Sequence, residues 1–162
     1  MCLRFDELVD VYIEMFPEII SNYDDTLFEL REEGRYHLVY PLFINDSDYI
    51  VISQKEVEGN PFVYPFYEMI VRDSFRKLME TQVKSKREED LLSKVLDYFE
   101  RMALSDDVEV RNVLSVAVFE GIIDAEDDGV LKAMGGILKS NSKRLFENRM
   151  KYLGHTLSRQ KL

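Results

Sequence analysis

A single cysteine and two histidines stand in 162 residues, and there is no tryptophan. Cys2 alone cannot close an internal disulfide, and it offers no second thiol for a structural zinc, so a reducing cytoplasm is the expected setting. His37 and His155 are far apart in the chain and supply no ligand spacing. The start, MCLRFDELVD, lacks the basic opening and apolar core of a secretory signal, and no run approaches the ~20 apolar residues that cross a bilayer. A soluble, cytoplasmic protein that neither enters nor crosses a membrane is expected. Nucleophilic chemistry has no foothold either: no glycine-flanked serine turn and no Cys/His arrangement occur. Gly135-Gly136 are followed by Ile-Leu-Lys without the rest of a phosphate-cradling loop.

Carboxylate is abundant, and two chemistries for it can be weighed. Asp124, Glu126, Asp128 and Gly129 occupy the first, third, fifth and sixth places of an EF-hand-like loop, but the twelfth place is Gly135, where a bidentate carboxylate is required. Calcium is therefore not expected. A pair of acids could hydrolyse a glycoside, yet nothing in the sequence selects a pair, and there is no tryptophan to stack on a sugar. The expectation is a chain with no catalytic residues, no cofactor and no metal, whose acids serve solvent, its own fold or another protein.

A hydrophobic content of 46% over this length suits one ordinary core, so residues 1–162 are expected to form a single helical domain. Thirty-one acids against twenty-one bases give a net charge of -10, which repels nucleic acid and anionic lipid and attracts cationic partners. The charge is unevenly placed. Residues 1–40 hold ten acids and three bases, residues 106–128 eight and one, and residues 129–162 one and eight. Partial docking of the basic end across acidic segments is expected, although exposed pairs contribute only about 0–1 kcal/mol each.

Periodicity supplies the elements. Phe5, Leu8, Val9, Tyr12, Ile13 and Phe16 fall on one helical stripe, and Pro17 suits the first turn of a second helix. Ile19, Ile20, Tyr23, Leu27 and Leu30 extend that second helix on paper, with an end near Gly34. In YHLVYPLFINDSDYIVISQ two β-rich arms flank Asn45-Asp46-Ser47-Asp48, a short β-hairpin near 38–52, with irregular or helical structure as the alternative; Pro41 would confine its arm to a sheet edge. After Glu58-Gly59-Asn60-Pro61 a helix runs through FYEMIVRDSFRKLMETQ, and the polar stretch QVKSKREED leads to a second over 91–103. Asp106 and Asp107 suit a helix start. Residues 113–119 are apolar nearly all round, as a central helix should be, and the apolar periodicity extends from Val108 to Ile123, with a buried strand as the competitor. Two shorter patterns follow, VLKAMGGILK and SKRLFENRMKYLGHTL. The fold class expected is mainly α, a bundle of about six to eight antiparallel helices. Tyr36, Tyr40, Tyr49, Tyr64 and Tyr67 could form an aromatic platform for a ligand, or cover the core with their hydroxyls outward.

Met15-Phe16-Pro17-Glu18-Ile19 and VLDYFERMALSDDVEVRNVLSVAVFEGI, residues 95–122, together resemble a family of small acidic helical bacterial proteins. Members of that family serve as immunity proteins in polymorphic toxin and contact-dependent inhibition systems. The resemblance implies a helical fold, no catalysis, and a cognate toxin as partner, most plausibly a basic nuclease domain whose active surface is covered. No direct contact with nucleic acid is implied. Carboxylates would imitate phosphate and pair with Arg or Lys of the toxin. The candidate partner-binding residues are Asp24, Asp25, Glu29, Glu32 and Glu33, or Asp124, Glu126, Asp127 and Asp128. A helical scaffold or regulatory adaptor with no toxin partner is the alternative reading.

Overall fold

The computed structural model describes residues 2–30, 35–41, 49–53 and 62–154. Glu32, Glu33, Gly34, the 45–48 turn, the 58–61 turn and His155 lie outside the described residues. The chain is mainly helical, as its periodicity predicts, with seven helical stretches among the described residues when 63–80 is counted as one. It divides into two compact units: Asp6–Phe66, and Tyr67–Leu162 together with Met1–Phe5.

In the first unit, the turn Phe5–Glu7 leads into α1 (Leu8–Met15), and α2 (Pro17–Ile20) follows at once. Phe16 ends α1 and precedes α2 in a non-helical conformation, φ -126° and ψ 56°, so Pro17 takes the first helical position, where its missing N–H costs nothing. Leu8, Val9, Tyr12 and Phe16 are buried, as the stripe requires. Tyr12 packs on Phe16 at 4.7 Å between ring centroids and edge-on to Phe66 of α3 (Val63–Phe66) at 5.8 Å. Beyond Ile20 the expected second helix stops. Ser21–Tyr23 form a tighter 3-10 turn, Asp24 to Thr26 reverse the chain, and Leu27 and Leu30 belong to a strand instead. Short polar side chains at 24–26 favour a turn, and extending 27–30 gives its backbone ladder partners that a helix end could not.

The strands are β1 (Leu27–Leu30), β2 (Arg35–Pro41) and β3 (Tyr49–Ser53), an antiparallel sheet ordered β1-β2-β3. The two arms of the expected hairpin are β2 and β3, in register from His37↔Ser53 to Pro41↔Tyr49. The third strand was not legible. β2 is central, not the edge strand that Pro41 suggested, but β1 pairs only with Arg35 to Leu38, so Pro41 sits where one flank of β2 has no ladder partner to lose. Leu27 opposes Leu38, and both are buried.

The second unit contains α4 (67–80), α5 (Lys86–Ala103), α6 (108–125), α7 (Asp128–Ile137) and α8 (Ser140–Tyr152). α6 is the central helix its composition predicts: Val113, Leu114, Ala117, Val118 and Phe119 are fully buried. The buried-strand alternative falls because helical turns run from Val108 to Ala125, through a π-wound middle, Val113–Glu120; Tyr67–Val71 of α4 is wound in the same way. Edge-to-face rings tie four helices together: Phe75 to Phe99 at 5.0 Å, Phe99 to Phe119 at 6.0 Å, and Phe119 to Phe146 at 5.4 Å. Tyr67 and Tyr98 are fully buried with hydroxyls 2.6 Å apart, so Tyr67 is a core residue and not part of a ligand platform. α5 begins earlier than the apolar pattern shows, because Ser85 and Glu88 form a reciprocal capping box that brings 86–90 out of the expected polar linker. The helix Asp128–Ile137 runs through Gly135-Gly136.

Candidate interaction surface

The acids of 105–129 are largely consumed by the fold. Asp107 caps α6, one carboxylate oxygen accepting from the Glu109 N–H at 3.1 Å and the other from the Phe5 N–H at 2.9 Å. Beside it the buried Ser105 hydroxyl donates to the Leu3 carbonyl at 2.7 Å, so residues 3–5 are fastened to this junction. Glu120 pairs with Arg149 of α8 at 3.3 Å. Of the second predicted cluster, Asp127 caps α7 by accepting from the Val130 N–H at 3.0 Å, and Asp128 lies in its first turn, where a negative charge suits the helix dipole. Glu126 faces Arg76 of α4 at 3.8 Å, and the same guanidinium lies 3.9 Å from Glu80 and 3.3 Å from Asp73. Burial, the Glu80 carboxyl and the charge of Asp127 push the Glu126 carboxyl above the ordinary range, against the pull of Arg76. Asp124 and Asp127 are exposed, Asp127 while it caps α7, and Glu126 and Asp128 are half-buried. Residues 124–128 thus end one helix and start the next, which also removes the loop that a calcium reading needs. Among the described residues no group of three or more His, Cys, Asp or Glu is placed to hold a metal.

The basic end reaches other acids. Lys139 pairs with Asp97, Arg149 with Glu120, and Glu100 accepts from the backbone N–H groups of Asn141 and Ser142 at 3.1 and 2.9 Å and from the Asn141 side chain at 2.7 Å. Burial pushes the Glu100 carboxyl up, but those hydrogen bonds outweigh it and leave it below the ordinary range. Of the expected docking of the basic end onto acidic segments, the Arg149–Glu120 pair is one instance, whereas Lys139 and the start of α8 meet Asp97 and Glu100 of α5, outside those segments.

The first unit is different in kind. Residues 5–27 contain Asp6, Glu7, Asp10, Glu14, Glu18, Asp24 and Asp25, seven acids, and no base. Asp6, Asp10, Glu14, Asp24 and Asp25 are exposed, and Asp6, Glu14, Asp24 and Asp25 make no ion pair among the described residues. Asp24 and Asp25, predicted from sequence, occupy the turn before β1; Glu29 lies on β1 in register with Tyr36. The structure joins to the predicted pair a row that composition alone passed over. Asp10 and Glu14 are one helical turn apart on α1, with Asp6 in the turn before it, on the side of the helix left over when Leu8, Tyr12 and Phe16 face inward. Their four-residue spacing was the available signal.

Fold and surface together define a mainly helical protein with a small antiparallel sheet and a base-free acidic row on its first helix. The chain belongs to the family described as a domain of unknown function, DUF7674, which matches residues 10–154. No curated protein and no solved structure matches it. No helix among the described residues is long and apolar enough to cross a membrane.

Proposed function

We propose that this chain is a cytoplasmic binding protein that captures a cationic protein, in the manner of an immunity protein that neutralises a cognate toxin by covering the active or substrate-binding surface of a basic nuclease domain. The observation that carries the reading is the acidic stretch 5–27, with seven acids and no base, of which Asp6, Asp10, Glu14, Asp24 and Asp25 are exposed. Exposed carboxylates steer a cationic partner during approach and then accept charge-assisted bonds from its Arg and Lys side chains. Capture needs no chemistry from the chain itself. Asp24 and Asp25 with Asp6, Asp10 and Glu14 form the contact, whereas Glu126 and Asp127 hold the fold.

Co-expression supplies the test. A toxin domain encoded beside this chain kills cells when expressed alone; co-expression restores growth, and reversal of Asp6, Asp10, Glu14, Asp24 and Asp25 to Lys abolishes the rescue while helicity is retained. Killing undiminished by the wild-type chain would leave the adaptor alternative, in which the same surface serves a partner other than a toxin.

A further inference from the structure

One guanidinium gathers three carboxylates at the end of α4. The Arg76 Nε lies 3.8 Å from a Glu126 oxygen and 3.9 Å from a Glu80 oxygen, and its Nη2 lies 3.3 Å from Asp73. Asp73 has a second cation in Lys77, at 3.0 Å. Among the described residues, Glu80 and Glu126 pair with no cation but Arg76. Both approaches are longer than a hydrogen bond, and the Arg76 Nε is buried without a hydrogen-bond partner. Glu126 is the inner of the two acids, its side chain 14% exposed against 48% for Glu80.

Charge does not balance there. With Asp73 on Lys77, one guanidinium faces two carboxylates, and Asp127 adds a further negative charge to those acting on Glu126. Two ionised carboxylates have no hydrogen to offer each other, so the contact between the Glu80 and Glu126 carboxyls is a hydrogen bond only while one of them keeps its proton. That proton belongs on Glu126, because burial disfavours its charge, whereas Glu80 is half open to water.

We propose that Glu80 and Glu126 share a single proton beside the Arg76 guanidinium, and that this proton latches the corner between α6 and α7 to the end of α4. With the proton in place, Glu126 donates to Glu80, which stays ionised and keeps Arg76 as its counter-ion. When the proton leaves to water, Glu80, Glu126 and Asp127 all face one guanidinium, and Glu126 regains solvation by turning outward. The corner is built to feel that movement. Glu126 is the extended residue between the two helices, φ -103° and ψ 158°, its N–H donating to the Ile122 carbonyl at 2.9 Å, and the next residue, Asp127, accepts from the Val130 N–H at 3.0 Å. Opening therefore loosens the last turn of α6 and the first turn of α7 together. The protonated form is the bound one, so the latch is closed at low pH and opens as pH rises through the shared titration. It involves neither residues 5–27 nor a partner, so it stands or falls apart from the proposed function.

Two measurements on the full chain test it between pH ~4 and pH ~7. Carboxyl-carbon NMR follows the titration of Glu80 and Glu126, and amide exchange, corrected for its intrinsic pH dependence, follows residues 124–130. The two carboxyl signals are expected to move together in two steps, as coupled groups do, and Glu80→Gln to carry the Glu126 midpoint to lower pH. Protection of 124–130 rises several-fold on acidification while the core amides of 114–119 hold constant. Glu126→Gln, a permanent stand-in for the protonated acid, keeps the protected level at every pH. Independent titration of the two carboxyls, a Glu126 midpoint unmoved in Glu80→Gln, or wild-type protection of 124–130 that is flat or falls on acidification overturns the proposal. The wild-type titration and exchange decide the matter by themselves if either variant fails to fold.

Discussion

Helix α8 starts with no capping side chain of its own, and Glu100, a turn from the end of α5, does that work by accepting the first free N–H groups of a helix forty residues on. Truncation by Glu100→Ala leaves those donors with water at best and costs about 1–2 kcal/mol, read as a lower Tm. Because the folded carboxyl is more acidic than the unfolded one, its contribution is complete above the unfolded pKa and is lost as pH falls through the folded value. Glu126 has the opposite sign. Its raised carboxyl favours the folded state at low pH, and that contribution disappears as pH rises through the folded value. Glu126→Gln is therefore expected to raise Tm at neutral pH relative to the wild type, with the gain vanishing near pH ~4, where both forms are neutral. Thermal melts across that range check both, and an Glu126→Gln gain that grows on acidification would refute the assignment.

Among the elements, α6 carries the second unit, and Phe99→Ala should show it. That substitution removes the ring joining Phe75 to Phe119 and is expected to cost about 3–5 kcal/mol, measured by urea unfolding. Ser85→Ala acts more locally, at about 1 kcal/mol, and should speed amide exchange over 86–89 without touching α8. The helices were legible wherever an apolar stripe or near all-round burial set the period, as at Leu8, Val9, Tyr12 and Phe16 and along 113–119. Leu27 and Leu30 misled because four residues of β1 also satisfy a helical spacing, and only pairing with β2, invisible in the local sequence, decides between them. The start of α5 was legible in principle: Ser85-Lys86-Arg87-Glu88 has capping-box spacing, but no apolar residue follows until Leu91. Within the candidate site, acidity was visible and the division of labour was not. Asp127 and Asp24 look alike in composition, and only the neighbouring N–H of Val130 makes one a cap while the other stays in solvent.

For the molecule as a whole, charge is sorted by role. Acids of the second unit face bases or helix ends at Glu100, Asp107, Glu120, Glu126 and Asp127, while Asp6, Glu14, Asp24 and Asp25 of the first are exposed. A surface of that kind acts first on encounter, so its removal should slow association more than it speeds dissociation. The most direct measurement is the association rate constant for the cationic toxin domain proposed as the partner, by stopped-flow across ionic strength, for the wild type and for D6K/D10K/E14K/D24K/D25K. Loss of steering should slow the variant by roughly tenfold or more at low salt and flatten its salt dependence. Equal rates with equal salt slopes for the two proteins would contradict capture through the acidic surface of the first unit.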